Sequence, residues 1–523
     1  MSGTSMRNSH IDSSQPASRN TLTRRTFLAS SVLGVGAMAT LRLASGQPEE
    51  KANTENLFLL GDFKSVCEES TITELRVVGK LPKELNGFFV RNGPNPQFRP
   101  QNNYHLFEGD GMIHGVHLEE GKASYRNRYV RTSAWKKENA AGKSLFPSIL
   151  DPVDWKRLQQ TLVAGEPPVP NRANTSLIWH HGKLLALWEG GWPHEITLPE
   201  FNTVGRYSFA RKLSHNFTAH PKIDSSTGEL IFFGYQPIEP FLQHSVADRE
   251  GRIIHTTPIR LPKPVMIHDA AITTNYTVFL DTPALFDLTG LVRAEPLLKW
   301  APENGARIGV LRRFANGETI KWFDIDTCFV FHVFNAYEQG DEIVLHACRY
   351  TRFPTIVDFS GRSTTKNLDK LLDDARAVAF TWRLNMTTGK VIESALDDVG
   401  TEFPQVDQSR TGRPTRYGYC TGHTNIESLN FYKYDFETGN RVAHQLGENR
   451  VVGEGIFVRR ENGKREDEGY LLALSYDRVR GHSELVVIPT DDFASEPLAR
   501  VIIPRRIPFG FHAAWIPAGK SAE

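Results

Sequence analysis

Short alternating apolar segments recur between turn signals from Leu75 to near the C-terminus, and this pattern constrains the chain more than any other feature. Gly115–Tyr125, Ser176–Leu187, Glu229–Tyr235, Ile272–Asp281, Glu342–Tyr350, Ala377–Leu384 and Tyr470–Tyr476 read as strand-forming stretches bounded by Gly, Asn, Asp or Pro. Glu120-Gly121-Lys122, His181-Gly182-Lys183, Ser226-Thr227-Gly228, Thr388-Gly389-Lys390 and Thr438-Gly439-Asn440 look like hairpin tips, where Gly takes the left-handed backbone at no steric cost. Helical patterns are few: Asp151–Gln160 and Asn367–Asp374 read as inserts over a β framework. The expected fold class is all-β. Many antiparallel hairpins in one chain fit a β-propeller, whose radial repetition removes long exposed edges, with a large sandwich array as the alternative. The repeats diverge too far for the blades to be counted.

A chain with 40% hydrophobic and 10% aromatic residues has ample material for a core. Lys plus Arg (61) nearly equals Asp plus Glu (60), so no global field draws it to nucleic acid. Cys67, Cys328, Cys348 and Cys420 form no CxxC pair, which argues against a thiolate metal site and a disulfide framework alike. An oxidising compartment would permit one bridge.

Residues 1–46 read as a twin-arginine-type export signal. Arg24-Arg25-Thr26-Phe27-Leu28 precedes an apolar Gly/Ala/Ser-rich run, and Ala44-Ser45-Gly46 follows it. The run between Arg25 and Arg42 is 16 residues, too short to span a bilayer comfortably. Removing the segment deletes five Arg and one Asp and takes the formal net charge from +1 to −3. Residues 47–523 are then expected to form a single domain, periplasmic or otherwise extracytoplasmic.

Eighteen histidines are present, and a lone one is seldom a ligand because a metal site needs several converging donors. Four stand in distinctive settings: Phe217-Thr-Ala-His220, Met266-Ile-His268-Asp, Phe331-His332-Val-Phe-Asn-Ala-Tyr-Glu338 and Pro508-Phe-Gly-Phe-His512. Separations of 48, 64 and 180 residues rule out a local finger-type site but suit one ligand from each of several blades. Imidazole suits iron, zinc and copper alike, so the histidines alone do not select the metal.

Beyond these segments the chain carries Asn86-Gly-Phe-Phe-Val-Arg-Asn-Gly-Pro-Asn-Pro96, Glu108-Gly-Asp-Gly-Met-Ile-His114, Leu187-Trp-Glu189-Gly-Gly, Glu402-Phe-Pro-Gln-Val-Asp and Gly453-Glu454. In this order, from about Leu57 to Trp515, it resembles the carotenoid cleavage oxygenase family, which includes apocarotenoid oxygenases, plant epoxycarotenoid dioxygenases and bacterial lignostilbene dioxygenases. The resemblance implies a seven-bladed β-propeller under a helical and loop dome, with one Fe(II) on the axis held by His220, His268, His332 and His512. It also implies that Glu189, Glu402 and Glu454 hydrogen-bond three of the imidazoles, and that Thr175, in Ala173-Asn174-Thr175, narrows an open coordination position. Four neutral imidazoles leave the +2 charge uncompensated, and outer carboxylates offset it while fixing each tautomer. Glu338, close to His332, is read as structural.

The implied reaction adds both atoms of O₂ across one conjugated trans double bond of an apolar polyene, a carotenoid or apocarotenoid, to give two carbonyl products. No triad or P-loop competes with that reading. Phe334, Phe511 and Trp515 are candidates to line an apolar tunnel, with burial in the propeller core as the plain alternative. The insert Leu145–Val169 is a candidate mouth for peripheral membrane contact. The lignostilbene branch, which grips a phenylpropanoid hydroxyl with Tyr and Lys, is the rival. Tyr104 and Lys137 (or Lys136) match those positions and Phe63 could stack on the ring, although Trp135-Lys-Lys-Glu also reads as a solvated loop. Further alternatives are a redox-neutral isomerase on the same ligands, and a catalytically idle propeller that binds apolar ligands.

Overall fold

The structure, a computed structural model, describes residues 56–101, 103–151, 154, 156, 159, 169–288, 297–354, 376–425 and 428–520. The export segment, the pattern at Asn367–Asp374 and most of that at Asp151–Gln160 lie outside the described residues. One compact unit comprises residues 52–153 and 169–523; the other, residues 1–51 and 154–168, is almost wholly outside the description.

The strands of the larger unit fall into seven successive antiparallel groups. Blade one is Ser176–His180, Lys183–Leu187, His194–Ile196 and Thr203–Arg206, and blade two is Lys222–Ile223, Leu230–Tyr235, Leu242–Ala247 and Ile253–Ile259. Blade three is Ala270–Ile272, Tyr276–Asp281, Ala306–Arg312 and Lys321–Ile325. Blade four contains Phe329–Gln339, Glu342–Tyr350 and Ala377–Asn385, and shares the long strand Val391–Gln405 with blade five. Residues up to Gly400 pair backwards with Val378 and its neighbours, whereas Thr401, Glu402 and Gln405 pair forwards with Tyr417–Asn425. Ser428–Asp435 and Arg441–His444 complete blade five. Arg450–Arg459, Gly469–Asp477, His482–Pro489 and Ala499–Ile503 make blade six, with Arg76–Gly79 on its outer edge.

Blade seven closes the ring with both ends of the chain. The C-terminal strand Ala513–Pro517 pairs with Gly87–Arg91, which pairs with Met112–Glu119, Lys122–Tyr129 and finally Ser70–Ile72. The expected hairpin tips are present, and Gly121, Gly182, Gly228, Gly389 and Gly439 all carry positive φ. Gly115–Tyr125 and Ser176–Leu187 are each two strands around such a tip.

The core is distributed as wedges between blades. Phe88 and Leu177 meet across blades seven and one, Leu187 and Phe232 across one and two, and Phe233 and Phe279 across two and three. Val310 and Leu345 join three to four, Cys348 and Tyr432 four to five, Phe431 and Leu471 five to six, and Leu472 and Val116 six to seven. Seven apolar interfaces in cyclic order close a seven-bladed propeller, in which every blade buries both faces and no long edge is left bare.

Candidate metal centre

One residue of each blade, lying within its first strand or one or two positions ahead of it, stands on a ring around a common axis. In order these are Thr175, His220, His268, His332, Glu402, Glu454 and His512. Hydrogen bonds run from one to the next: Ser176 Oγ to the Ala219 carbonyl, Val333 N–H to Asp269, and Gln405 Nε2 to Glu454 at 2.8 Å. Ala513 N–H reaches Glu454 at 2.7 Å, and His512 N–H reaches the Thr175 carbonyl at 3.1 Å. Strand alternation and sevenfold repetition thus bring residues up to 337 positions apart onto one ring.

Three imidazole nitrogens converge closely. Nε2 of His268 lies 3.1 Å from Nε2 of His220 and 3.3 Å from Nε2 of His332. The His512 ring centroid is 4.6 Å from that of His220 and 4.8 Å from that of His332. On the far side of three rings, Nδ1 donates to a carboxylate: His268 to Glu189 (2.9 Å), His332 to Glu402 (2.6 Å) and His512 to Glu454 (3.1 Å). Glu189 leaves blade one just after Leu187 and reaches across to blade three.

This donor set fits a cation. When both rings are neutral, with Nδ1 of His268 and His332 committed as donors to carboxylates, their Nε2 atoms carry lone pairs and cannot hydrogen-bond one another. Lone pairs facing at 3.3 Å repel unless a positive ion stands between them. Burial, then the neighbouring histidines, holds the His220 imidazole well below its ordinary pKa, so it too is a neutral donor. Burial lowers His268 as well, but Glu189 outweighs it and the net direction is up; at His332 burial wins over Glu402 and the direction is down. Burial pushes the Glu402 carboxyl up, yet His332, the Phe403 N–H and Tyr350 together hold it below its usual value, hence ionised.

A second group of acids and a histidine, Asp477, His482 and Glu484, is also compact. Its carboxylates are occupied by Arg450, Arg480 and Arg500, so it reads as an ion-pair network.

Thr175 is partly buried beside the ring. Its Oγ1 donates to Asn174 Oδ1 (3.1 Å), which turns the hydroxyl away and leaves the methyl as its other face. Phe63, Tyr104 and Phe511 fall into one aromatic cluster with Phe58, Leu106 and Phe107, adjoining His512 through Phe511. Lys137 is exposed on the helix Ser133–Ala141, N-capped by Thr132, where a solvated loop was the alternative. Phe334 packs between blades four and five against Tyr434 and Phe436, and Trp515 packs against the core between blades six and seven. Both follow the bland expectation for aromatics on propeller strands. Glu338 accepts from Thr273 and from Asn275 and so staples a turn of blade three, a structural role.

One aromatic was not foreseen. Phe403 has φ of 54°, an uncommon conformation for a bulky residue, and its ring centroid lies 5.8 Å from that of His332 and 5.4 Å from that of His512. The outer hydrogen-bond partners of two glutamates also escaped the sequence, Tyr350 for Glu402 (2.9 Å) and Gln405 for Glu454, as did Tyr235, whose buried phenol Glu189 helps to raise.

A seven-bladed propeller with a ring of imidazoles and outer carboxylates at its axis defines a class of proteins able to hold a metal ion there. The profile of the retinal pigment epithelial membrane protein family matches residues 63–517, and the chain belongs to this family, that of the carotenoid cleavage oxygenases. It is 38% identical to carotenoid 9,10(9′,10′)-cleavage dioxygenase 1 of Arabidopsis thaliana, over 88% of this chain and 89% of that one. Against isoeugenol monooxygenase of Pseudomonas nitroreducens it is 31% identical over 89% and 99%. The crystal structure of Pseudomonas brassicacearum lignostilbene dioxygenase superposes with a TM-score of 0.79 at 27% identity, covering 89% of this chain and 99% of that one.

Proposed function

We propose that the chain is an exported Fe(II)-dependent dioxygenase that cleaves one conjugated trans double bond of a carotenoid or apocarotenoid into two carbonyl products. The observation that carries the reading is the set of three His–Glu pairs around four converging imidazoles. His220, His268, His332 and His512 would hold the iron, and when bound it supplies the O₂ chemistry. Glu189, Glu402 and Glu454 compensate its charge and fix each Nδ1–H, so every Nε2 is presented as a lone pair.

The protein's remaining share is placement and exclusion of water. Thr175, whose hydroxyl is engaged by Asn174, would use its methyl to narrow one open position, as the family resemblance implies. Phe58, Phe63, Phe107 and Phe511 form an apolar cluster that includes the residue next to His512 in the chain, which suits a polyene with few hydrogen-bonding handles. Arg24-Arg25 and the short apolar run that follows support export, and the Leu145–Val169 insert is the part we assign to peripheral membrane contact. In its described portion, Leu145, Phe146 and Ile149 are tied down by Glu138 and Glu108.

A second reading, a stilbene-cleaving dioxygenase of the same family, is favoured by the gathering of Phe63 and Tyr104 in one cluster and by the phenylpropanoid enzymes among its relatives. The greater identity with the carotenoid enzyme supports the first reading. Mass analysis of products from iron-loaded protein given a mixed panel of carotenes, apocarotenals and resveratrol-like stilbenes decides between them. Aldehydes from a polyene support the first reading, and cleavage of stilbenes alone replaces it with the second.

A further inference from the structure

Glu402 and Glu454 each have one more side-chain partner besides a histidine: on Glu402 it takes the other oxygen, and on Glu454 it shares Oε1 with His512. Tyr350 OH donates to Glu402 Oε1 at 2.9 Å, leaving Oε2 for His332 and for the Phe403 N–H at 2.7 Å. Gln405 Nε2 donates to Glu454 Oε1 at 2.8 Å, while Oε2 takes the Ala513 N–H. Burial first, then the neighbouring Glu189 carboxylate, raises the Tyr235 phenol well above its ordinary pKa, which places the two side by side. The two tyrosines are equivalent in the fold: each is the last residue of the second strand of its blade, Leu230–Tyr235 in blade two and Glu342–Tyr350 in blade four.

We propose that Tyr235, Tyr350 and Gln405 are positioning residues that set metal affinity by fixing the rotamer and ionised form of Glu189, Glu402 and Glu454. All three are neutral donors. A phenol or amide that donates to a carboxylate occupies one lone pair without cancelling its charge, so the −1 needed opposite the metal survives while the carboxylate plane is locked. Without that bond the plane is free to swing, and the Nδ1–H···O contact that orients each imidazole loses its fixed acceptor. The inference rests on the reading that the four histidines hold a metal.

The test uses the full chain stripped of metal and titrated with Co(II), whose visible bands report ligand geometry. Tyr350→Phe, Tyr235→Phe and Gln405→Met are each expected to weaken Co(II) binding by about tenfold, the lower end for outer partners of metal ligands, and to shift the bands. Tyr434→Phe removes a buried phenol that bonds Asp397 in the blade-four/blade-five wedge, and is expected to leave both unchanged. In a Glu402→Gln background the Tyr350→Phe effect is expected to vanish, because the carboxylate it acts through is gone, whereas a merely structural effect would persist. A parent chain that takes up no cobalt overturns the metal reading and this one together. A parent that binds, with a Tyr350→Phe variant within twofold of it or an undiminished effect in the Glu402→Gln background, overturns this one alone.

Discussion

Glu402 Oε2 lies 2.6 Å from His332 Nδ1, the shortest of the three His–Glu contacts, and the two residues sit on the first strands of adjacent blades. The contact fixes which imidazole nitrogen faces the axis, so the charge state and the aim of the ligand are one structural property. Replacing Glu402 by Gln keeps the volume but removes the charge. Turnover is expected to fall roughly 10- to 100-fold, while His268→Ala, which removes the imidazole at the centre of the three converging nitrogens, is expected to abolish iron binding. Metal content and initial rates on the same preparations check both, and full activity in either variant would show the site to be misassigned.

Dioxygenation and isomerisation use the same ligands but differ in where oxygen goes. Under ¹⁸O₂ both carbonyl products are expected to carry label after brief reaction, before exchange with water. An unlabelled product identifies an isomerase, and a single labelled product identifies monooxygenation.

Thr175 offers a sharper test than deletion because its hydroxyl is already engaged by Asn174. If the methyl does the work, Thr175→Val keeps it and Thr175→Ser loses it. The Val variant is expected to stay within a few-fold of the parent in coupling of O₂ uptake to product, and the Ser variant to lose about as much as Thr175→Ala; methyl-sized packing differences are worth roughly 1 kcal/mol. Oxygen-electrode and product measurements made in parallel separate the two, and a Ser variant that behaves like the parent assigns the role to the hydroxyl.

Acid should destabilise the propeller through histidines remote from the axis. His244 and His346 are buried, each bonds a threonine through one nitrogen, and the other nitrogen has no hydrogen-bond partner among the described residues. Burial, aided by nearby cationic groups, lowers both to about 3. A folded pKa below the unfolded value of about 6.5 means that the unfolded chain binds more protons, so stability is full above 6.5 and falls as pH drops toward 3. Each contributes on the order of 5 kcal/mol across that whole window. Thermal midpoints between pH 7 and 4.5 are expected to fall steadily, and His346→Phe to give a shallower slope whatever its offset; an equal slope would remove His346 from the account.

Much of this was legible in the sequence, for reasons that can be named. Strands such as Glu342–Tyr350 stand where alternation and flanking turns put them, because hairpin geometry is local. The ring histidines were found through flanking strings, since nothing local links residues that meet only when blades close. Phe334 shows where alternation fails. A plain strand would put it on the face of His332, but register shifts at Val330/Val333 and Val333/Asn335 break the alternation and Phe334 packs in the wedge instead. Phe403 was illegible because its role depends on a positive φ that no sequence pattern of aromatics encodes. Tyr235, Tyr350 and Gln405 were illegible because each acts on a carboxylate from a neighbouring blade or strand, a relation set by the radial packing alone.

Asp224 tests whether the hairpins at the far ends of the first strands hold the blades in register. It is 1% exposed, accepts from Ser226, and pairs with Arg313 at 2.7 Å and Arg413 at 2.9 Å, joining blades two, three and five. Burial alone would raise its carboxyl, but Ser226 and the two guanidinium groups hold it well below the ordinary range. Removing it leaves Arg313, itself 4% exposed, with only the 3.2 Å contact to Glu229 as an acidic partner among the described residues. Breaking one side of such a buried network costs about 3–5 kcal/mol, whereas the exposed Lys83–Glu120 pair is worth under about 1 kcal/mol. Asp224→Ala is therefore expected to lower the denaturation midpoint far more than Glu120→Ala at pH 7. Because a depressed carboxylate contributes only above its unfolded pKa, the gap between Asp224→Ala and the parent should narrow as pH falls below about 4. A gap that is already absent at pH 7 would mean that the apolar wedges alone hold the blades in register.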